Sequence, residues 1–162
     1  MKKPSFLDSL RAEGRLELVE PSDEICTSYL EKAESCRKSA EVLLPYKLYE
    51  NSVSSSYYAM YNALTALLYK TGIKCENHSA AIILLRNLFG QEGLYKLISK
   101  AKEERIDKQY YVTAKKAEEE TRESAEKILK DAERFITGIK LHTRKMGTTD
   151  IEKTRKEFKS IS

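Results

Sequence analysis

The chain has 162 residues, 41% of them apolar and 33% charged, a balance that suits one folded domain and excludes a disordered chain. Six glycines and three prolines leave too few breaks for a many-turned β fold, and abundant Lys, Glu, Ala and Leu favour helices. The net charge is +4 and sits in the tail: Lys140 to Ser162 holds seven Lys or Arg against three acids, while residues 1–139 balance at 22 against 22.

The opening "MKKPSFLDSL" turns polar at once and lacks the apolar run of a signal peptide. No later stretch approaches the ~18 consecutive apolar residues of a membrane span. A short helix is expected from Ser5 to about Glu13, then Gly14 and "RLELVE", which alternates but is too short to build a sheet alone. In "PSDE", Ser22 can cap a helix, with Asp23 and Glu24 favourably placed in its first turn. Ile25, Tyr29, Ala33, Cys36, Ala40 and Leu43 then recur at steps of three and four, and Pro45 follows.

The next helix runs from about Leu48 to Lys70, with Val53, Tyr57, Met60, Tyr61, Leu64, Leu67 and Leu68 on its apolar face. Ala59, Ala63 and Ala66 let a neighbour approach closely, and Gly72 is placed to stop the helix. A third spans Ser79 to Phe89, and a fourth, shorter one carries Leu94 to Ala101 before the charged run "KEER". The fifth is long, about Val112 to His142, with a stripe from Ala114 and Ala117 through Thr121, Ala125, Ile128 and Ala132 to Ile139. "MGTTD" is a break in which Thr148 or Thr149 could cap a last helix.

Long helices with one apolar face each predict an all-α, up-and-down four-helix bundle with an additional short helix. We divide the chain into an N-terminal extension (1–21), a helical domain (22–143) and a basic C-terminal tail (144–162). The tail's apolar residues are sparse, which predicts that it is separable from the fold and free to meet a polyanion; if it is helical, Ile151, Phe158 and Ile161 fall near one face that could dock on the bundle or on a partner. Cys26, Cys36 and Cys75 form no metal-binding pattern, which predicts reduced thiols, no metal, no cofactor and a cytoplasmic protein.

Three short motifs then stand in a telling order: Tyr57-Tyr58-Ala59-Met60 on the second long helix, Asn77-His78-Ser79 before the third, and "RIDKQYY" at 105–111. Over about residues 24 to 142 the chain resembles the HEPN domains of bacteria and archaea. More narrowly, it resembles the subgroup with a Tyr-Tyr-Ala-Met helix motif. The resemblance implies a five-helix unit built on a four-helix bundle, commonly a homodimer and often accompanied by a minimal nucleotidyltransferase. Many of its members cut RNA with an Arg followed, four to six residues on, by a His. The Arg clamps the phosphate and the His moves protons near neutral pH.

This sequence departs from that pattern where the chemistry resides. Five residues after Arg105 stands Tyr110, not His. A phenol with a pKa near 10 is a poor base at pH 7, and losing the base costs about 10²- to 10⁴-fold in rate. The sequence therefore predicts a non-catalytic binding or regulatory module. Its ligand would be a nucleotide or RNA, with Arg105, Tyr110, Tyr111, Tyr58 and His78 as binding candidates. Tyr110 and Tyr111 are also candidates for modification by a nucleotidyltransferase.

The first rival is an RNase toxin of a toxin–antitoxin pair, with Arg105 and Tyr110 as a degenerate catalytic pair. The second is a structural dimer without ligand. Each candidate has a plainer role too. Arg105 could pair with Glu103 or Glu104, the paired tyrosines could fill gaps between helices, and His78 reads first as a cap or orienting group for the helix behind it.

Overall fold

The computed structural model of the chain describes residues 3–110 and 116–162; the side chains of 106–110 and 116–120 lie outside that description. Its elements run α1 (Phe6–Ala12), β1 (Leu16–Leu18), α2 (Asp23–Leu43), α3 (Tyr49–Lys70), β2 (Ile73–Cys75), α4 (His78–Asn87), α5 (Glu92–Tyr110), α6 (Lys116–Lys145) and α7 (Thr148–Ser160). The architecture is helical, with one small two-stranded ribbon. The long helices α2, α3, α5 and α6 form the bundle, and the short α4 leans on α5 and α3.

Helix α3 is the centre. It packs against α2, α5 and α6, and Val53, Tyr57, Met60, Leu64 and Leu67 are all fully buried. Ala59, Ala63 and Ala66 are buried too, which is how neighbours approach on more than one side. The stripe on α6 lies inward from Ala125 to Ile139, whereas the side chains of Ala114 and Ala117 fall outside the described residues. Ser22 caps α2 as expected, accepting from the Ile25 amide at 3.1 Å. The stripe on α2 is shifted by one residue at its start, with Ile25 39% exposed and Cys26 buried instead. A thiol is small enough for the place where the first turn of α2 meets the last turn of α3, at the Asp23–Lys70 ion pair.

Three expectations change. The alternating "RLELVE" finds a partner after all. Strand β1 pairs antiparallel with β2, Leu16 opposite Cys75 and Leu18 opposite Ile73. Leu16 and Ile73 both point into the core. Gly72 makes the turn that lets β2 leave α3, with φ at +71°. A Cβ there would also strike the Arg155 guanidinium and the Val19 carbonyl.

Helix α5 is not short either. It continues through "KEER" to Tyr110, because Lys, Glu, Arg and Gln are good helix formers and the charges have partners outside the core. Glu104 accepts from the Ser124 hydroxyl of α6 at 2.7 Å, for example.

The third correction concerns the tail. It is a helix, α7, capped at Gly147 rather than at Thr148 or Thr149, with the Asp150 carboxylate accepting from the Gly147 amide at 2.9 Å. Phe158 is only 4% exposed and belongs to the main core cluster. Arg155 Nη1 donates to the carbonyls of Val19 (2.7 Å), Thr71 (3.0 Å) and Gly72 (3.0 Å). Arg11 of α1 donates to the Phe158 carbonyl at 2.8 Å and lies 4.9 Å over its ring. One of the tail's positive charges is thus fixed on backbone carbonyls. The tail and the N-terminal extension are strapped together over the ribbon.

Candidate functional site

Tyr57 and Tyr61 lie one turn apart on α3 and so share a face, while Tyr58 is turned about 100° from Tyr57. That separation divides their roles: Tyr57 is fully buried and Tyr58 is 38% exposed. Opposite them begins α4. Asn77 is its cap, accepting from the Ala80 amide at 2.9 Å, so His78 is freed from the capping role expected of it. His78 instead turns back to α3. Its Nδ1 is 2.8 Å from the Tyr57 hydroxyl, and its ring stacks on Tyr61 with centroids 3.7 Å apart and planes 19° from parallel. Tyr58 meets it edge-on, at 6.3 Å and 86°.

Helix α5 supplies the charge. The Arg105 guanidinium carbon lies 5.0 Å from the ring centre of Tyr58 and 5.4 Å from that of Tyr57, within reach of a cation–π contact with each. One turn earlier on the same helix, Lys102 donates to the Ser79 hydroxyl at 2.6 Å. Two cations therefore stand over the His78–Ser79 step. Among the described residues Arg105 makes no ion pair with Glu103 or Glu104. Its Nε is buried and has no acceptor there. A buried donor without an acceptor costs about 1–3 kcal/mol, more when charged, so this fork is suited to receiving an anion.

The electrostatics follow from this crowding. Burial, then the charges of Arg105 and Lys102, hold the His78 imidazole below its ordinary pKa, so it is neutral at pH 7. Burial pushes the Tyr57 phenol up to about 12, with Arg105 pulling the other way, so it keeps its proton. The neutral imidazole is thus fixed at Nδ1 by Tyr57 and held flat by Tyr61. No described residue bonds its Nε2. Chemically the arrangement can clamp a phosphate between Arg105 and Lys102, stack a flat ring on Tyr58 and exchange a proton at His78.

Of the five residues singled out from the sequence, the fold brings Arg105, Tyr58 and His78 together. Tyr111 and the side chain of Tyr110 lie outside the described residues. Sequence reasoning missed Lys102, Tyr57 as the partner of His78, and Tyr61 as its stacking surface. The signals were there: Lys102 stands three residues before Arg105, and Tyr57 and Tyr61 repeat at four.

The family model for the HEPN domain matches residues 27–142. The chain belongs to the HEPN domain family. A protein of Methanocaldococcus jannaschii that carries the name "Putative toxin MJ0605" is 34% identical to it over 116 residues, 68% of this chain and 83% of the relative. Every HEPN residue of the site just described, from Tyr57 to Arg105, lies inside the matched stretch, whereas α1, β1 and α7 lie outside it. The matched stretch thus holds the whole cluster, while the two ends outside it are joined over the ribbon by Arg11 and Arg155.

Proposed function

We propose that this HEPN module binds a phosphate-bearing ligand, single-stranded RNA or a nucleotide, at the cluster where Arg105 of α5 meets the tyrosines of α3. The observation that carries the reading is Arg105: its guanidinium lies against two tyrosine rings, with a buried Nε that no described residue satisfies. A phosphate would complete that fork, Lys102 would share its charge, and the half-exposed Tyr58 ring offers a base a stacking surface.

The test is binding of a fluorescent single-stranded RNA of mixed sequence with 2′-O-methyl sugars, followed by anisotropy over a range of salt. Arg105→Ala should weaken binding about tenfold and lower the log–log salt slope by about 0.7, the worth of one phosphate contact on a single strand. Unchanged affinity and slope would remove Arg105 from the site.

The HEPN resemblance and the toxin named in the archaeal relative favour a regulated role with a cognate partner. A minimal nucleotidyltransferase is the partner that the resemblance implies. Tyr110 and Tyr111 remain candidates for modification by it. We place the protein in the cytoplasm on its three free thiols. We also read it as a homodimer in which two copies bring their α5 ends together. Light scattering at micromolar concentration should then give twice the 18.6 kDa of one chain. A single-chain mass would confine the groove to one copy.

A further inference from the structure

We propose that His78 makes the Arg105–Lys102 anion site proton-linked: a bound phosphate draws a proton onto the imidazole, which becomes a third cation, so the site tightens as pH falls. This rests on the phosphate-binding reading above and adds a regulation to it. His78 and Arg105 meet the same two rings: His78 lies 5.9 Å from Tyr57 and 6.3 Å from Tyr58 by centroid, and Arg105 lies 5.4 and 5.0 Å from them. Lys102 reaches the very next residue, Ser79, at 2.6 Å. A phosphate held by the two cations therefore has the imidazole as a close neighbour.

The groups that surround the ring set its charge. Helix α3 presents Tyr57, Tyr58 and Tyr61, and α5 presents Lys102 and Arg105. Strand β2 ends at Cys75, whose thiol donates to the Asn77 carbonyl at 3.3 Å and is kept protonated by burial. Glu76, just before the helix, is turned to Lys74 at 3.0 Å. Burial and the two cations of α5 thus keep the free ring neutral, and no carboxylate among the described residues offsets them.

A phosphate changes two of those three causes. Its negative charge offsets Arg105 and Lys102 and attracts the imidazolium directly, which leaves burial alone to oppose protonation. The hydrogen bonding already suits the cation. The Tyr57 phenol, pushed up to about 12 by burial, keeps its own proton, and its oxygen lies 2.8 Å from Nδ1. That oxygen accepts from Nδ1–H, and the other proton sits on Nε2, which no described residue bonds. The proton comes from water and returns to it when the ligand leaves. Affinity is lowest where the ring is neutral with and without ligand. It rises as pH falls through the pKa of the bound state and levels off below that of the free state.

The test is anisotropy of the fluorescent 2′-O-methyl strand with the full chain at fixed salt, from about pH 8 to about pH 5.5. That span brackets the ordinary histidine pKa near 6.5 and stays above the carboxylates. Wild type should bind up to about tenfold more tightly at the acid end, the limit for a rise of one in the pKa on binding. His78→Gln should hold one affinity across the range. His142→Gln, which removes the other histidine, should keep the wild-type rise. One readout needs no variant at 78: the pKa of the imidazole, followed by NMR of the ring, should rise by about one when the strand saturates the protein.

Wild type that binds the strand equally at both ends of the range would overturn the linkage and spare the binding reading. So would an imidazole pKa that the strand leaves in place, or an acid rise that His78→Gln retains. Wild type that binds the strand at no pH in the range would overturn both.

Discussion

Truncation after Lys145, which removes α7, should lower Tm by roughly 6–12 °C, taking about 3 kcal/mol of lost stability at about 2–4 °C per kcal/mol for a chain of this size. The loss has two sources. Phe158 is buried in the main core, and emptying such a site by Phe→Ala costs about 3–5 kcal/mol. Arg155 bridges three carbonyls on two segments, and hydrogen bonds to a charged group contribute about 1.5–3 kcal/mol. The conformational entropy regained by the freed helix offsets part of the sum, which keeps the estimate near its lower end. Phe158→Ala should reproduce most of the loss, and Arg155→Ala a smaller share. A truncated chain that melts within about 2 °C of the full one would return α7 to the status of a separable basic tail.

That prediction reverses what composition suggested, and the reason is physical. The tail has few apolar residues, and a count of apolar residues cannot register one phenylalanine in a deep position. Nor can it register an arginine aimed at backbone carbonyls, since every chain carries carbonyls and no side-chain pattern marks the ones left open at a turn. The same limit hid the ribbon. Strands of three residues carry too little alternation to be seen, and β1 meets β2 only after α2 and α3 have folded between them. By contrast α3 and α6 were legible because their periodicity is long and their neighbours press on one face. Helix α5 was half legible: its apolar part shows a period, while "KEERIDKQY" carries none, so the sequence alone ends the helix near Ala101.

The site divides along the same line. Tyr58, His78 and Arg105 could be picked out as residue types with chemistry, but their assembly could not be read. A histidine a fixed number of residues after Arg105 is absent, and Tyr110 stands in that place. Spacing along a helix tests for one partner only. The histidine that the fold sets beside Arg105 comes from the start of α4, well before it in the chain, and it arrives there because Asn77 takes over the capping.

Tyr57→Phe should leave the fold standing but cost about 1–3 kcal/mol, because a fully buried ring loses its hydroxyl and His78 Nδ1 then loses its partner. The ring itself still fills its place under Arg105, so RNA binding should stay close to wild type. Tyr61→Phe is the control. It keeps the stacked ring beside His78 and removes a hydroxyl that does not bond to it, so urea denaturation should show a smaller loss. Equal losses for the two changes would mean that stacking alone holds the imidazole. If Tyr57→Phe lost RNA binding as well as stability, the phenol would be holding the cluster itself in shape, since Arg105 rests on the same ring.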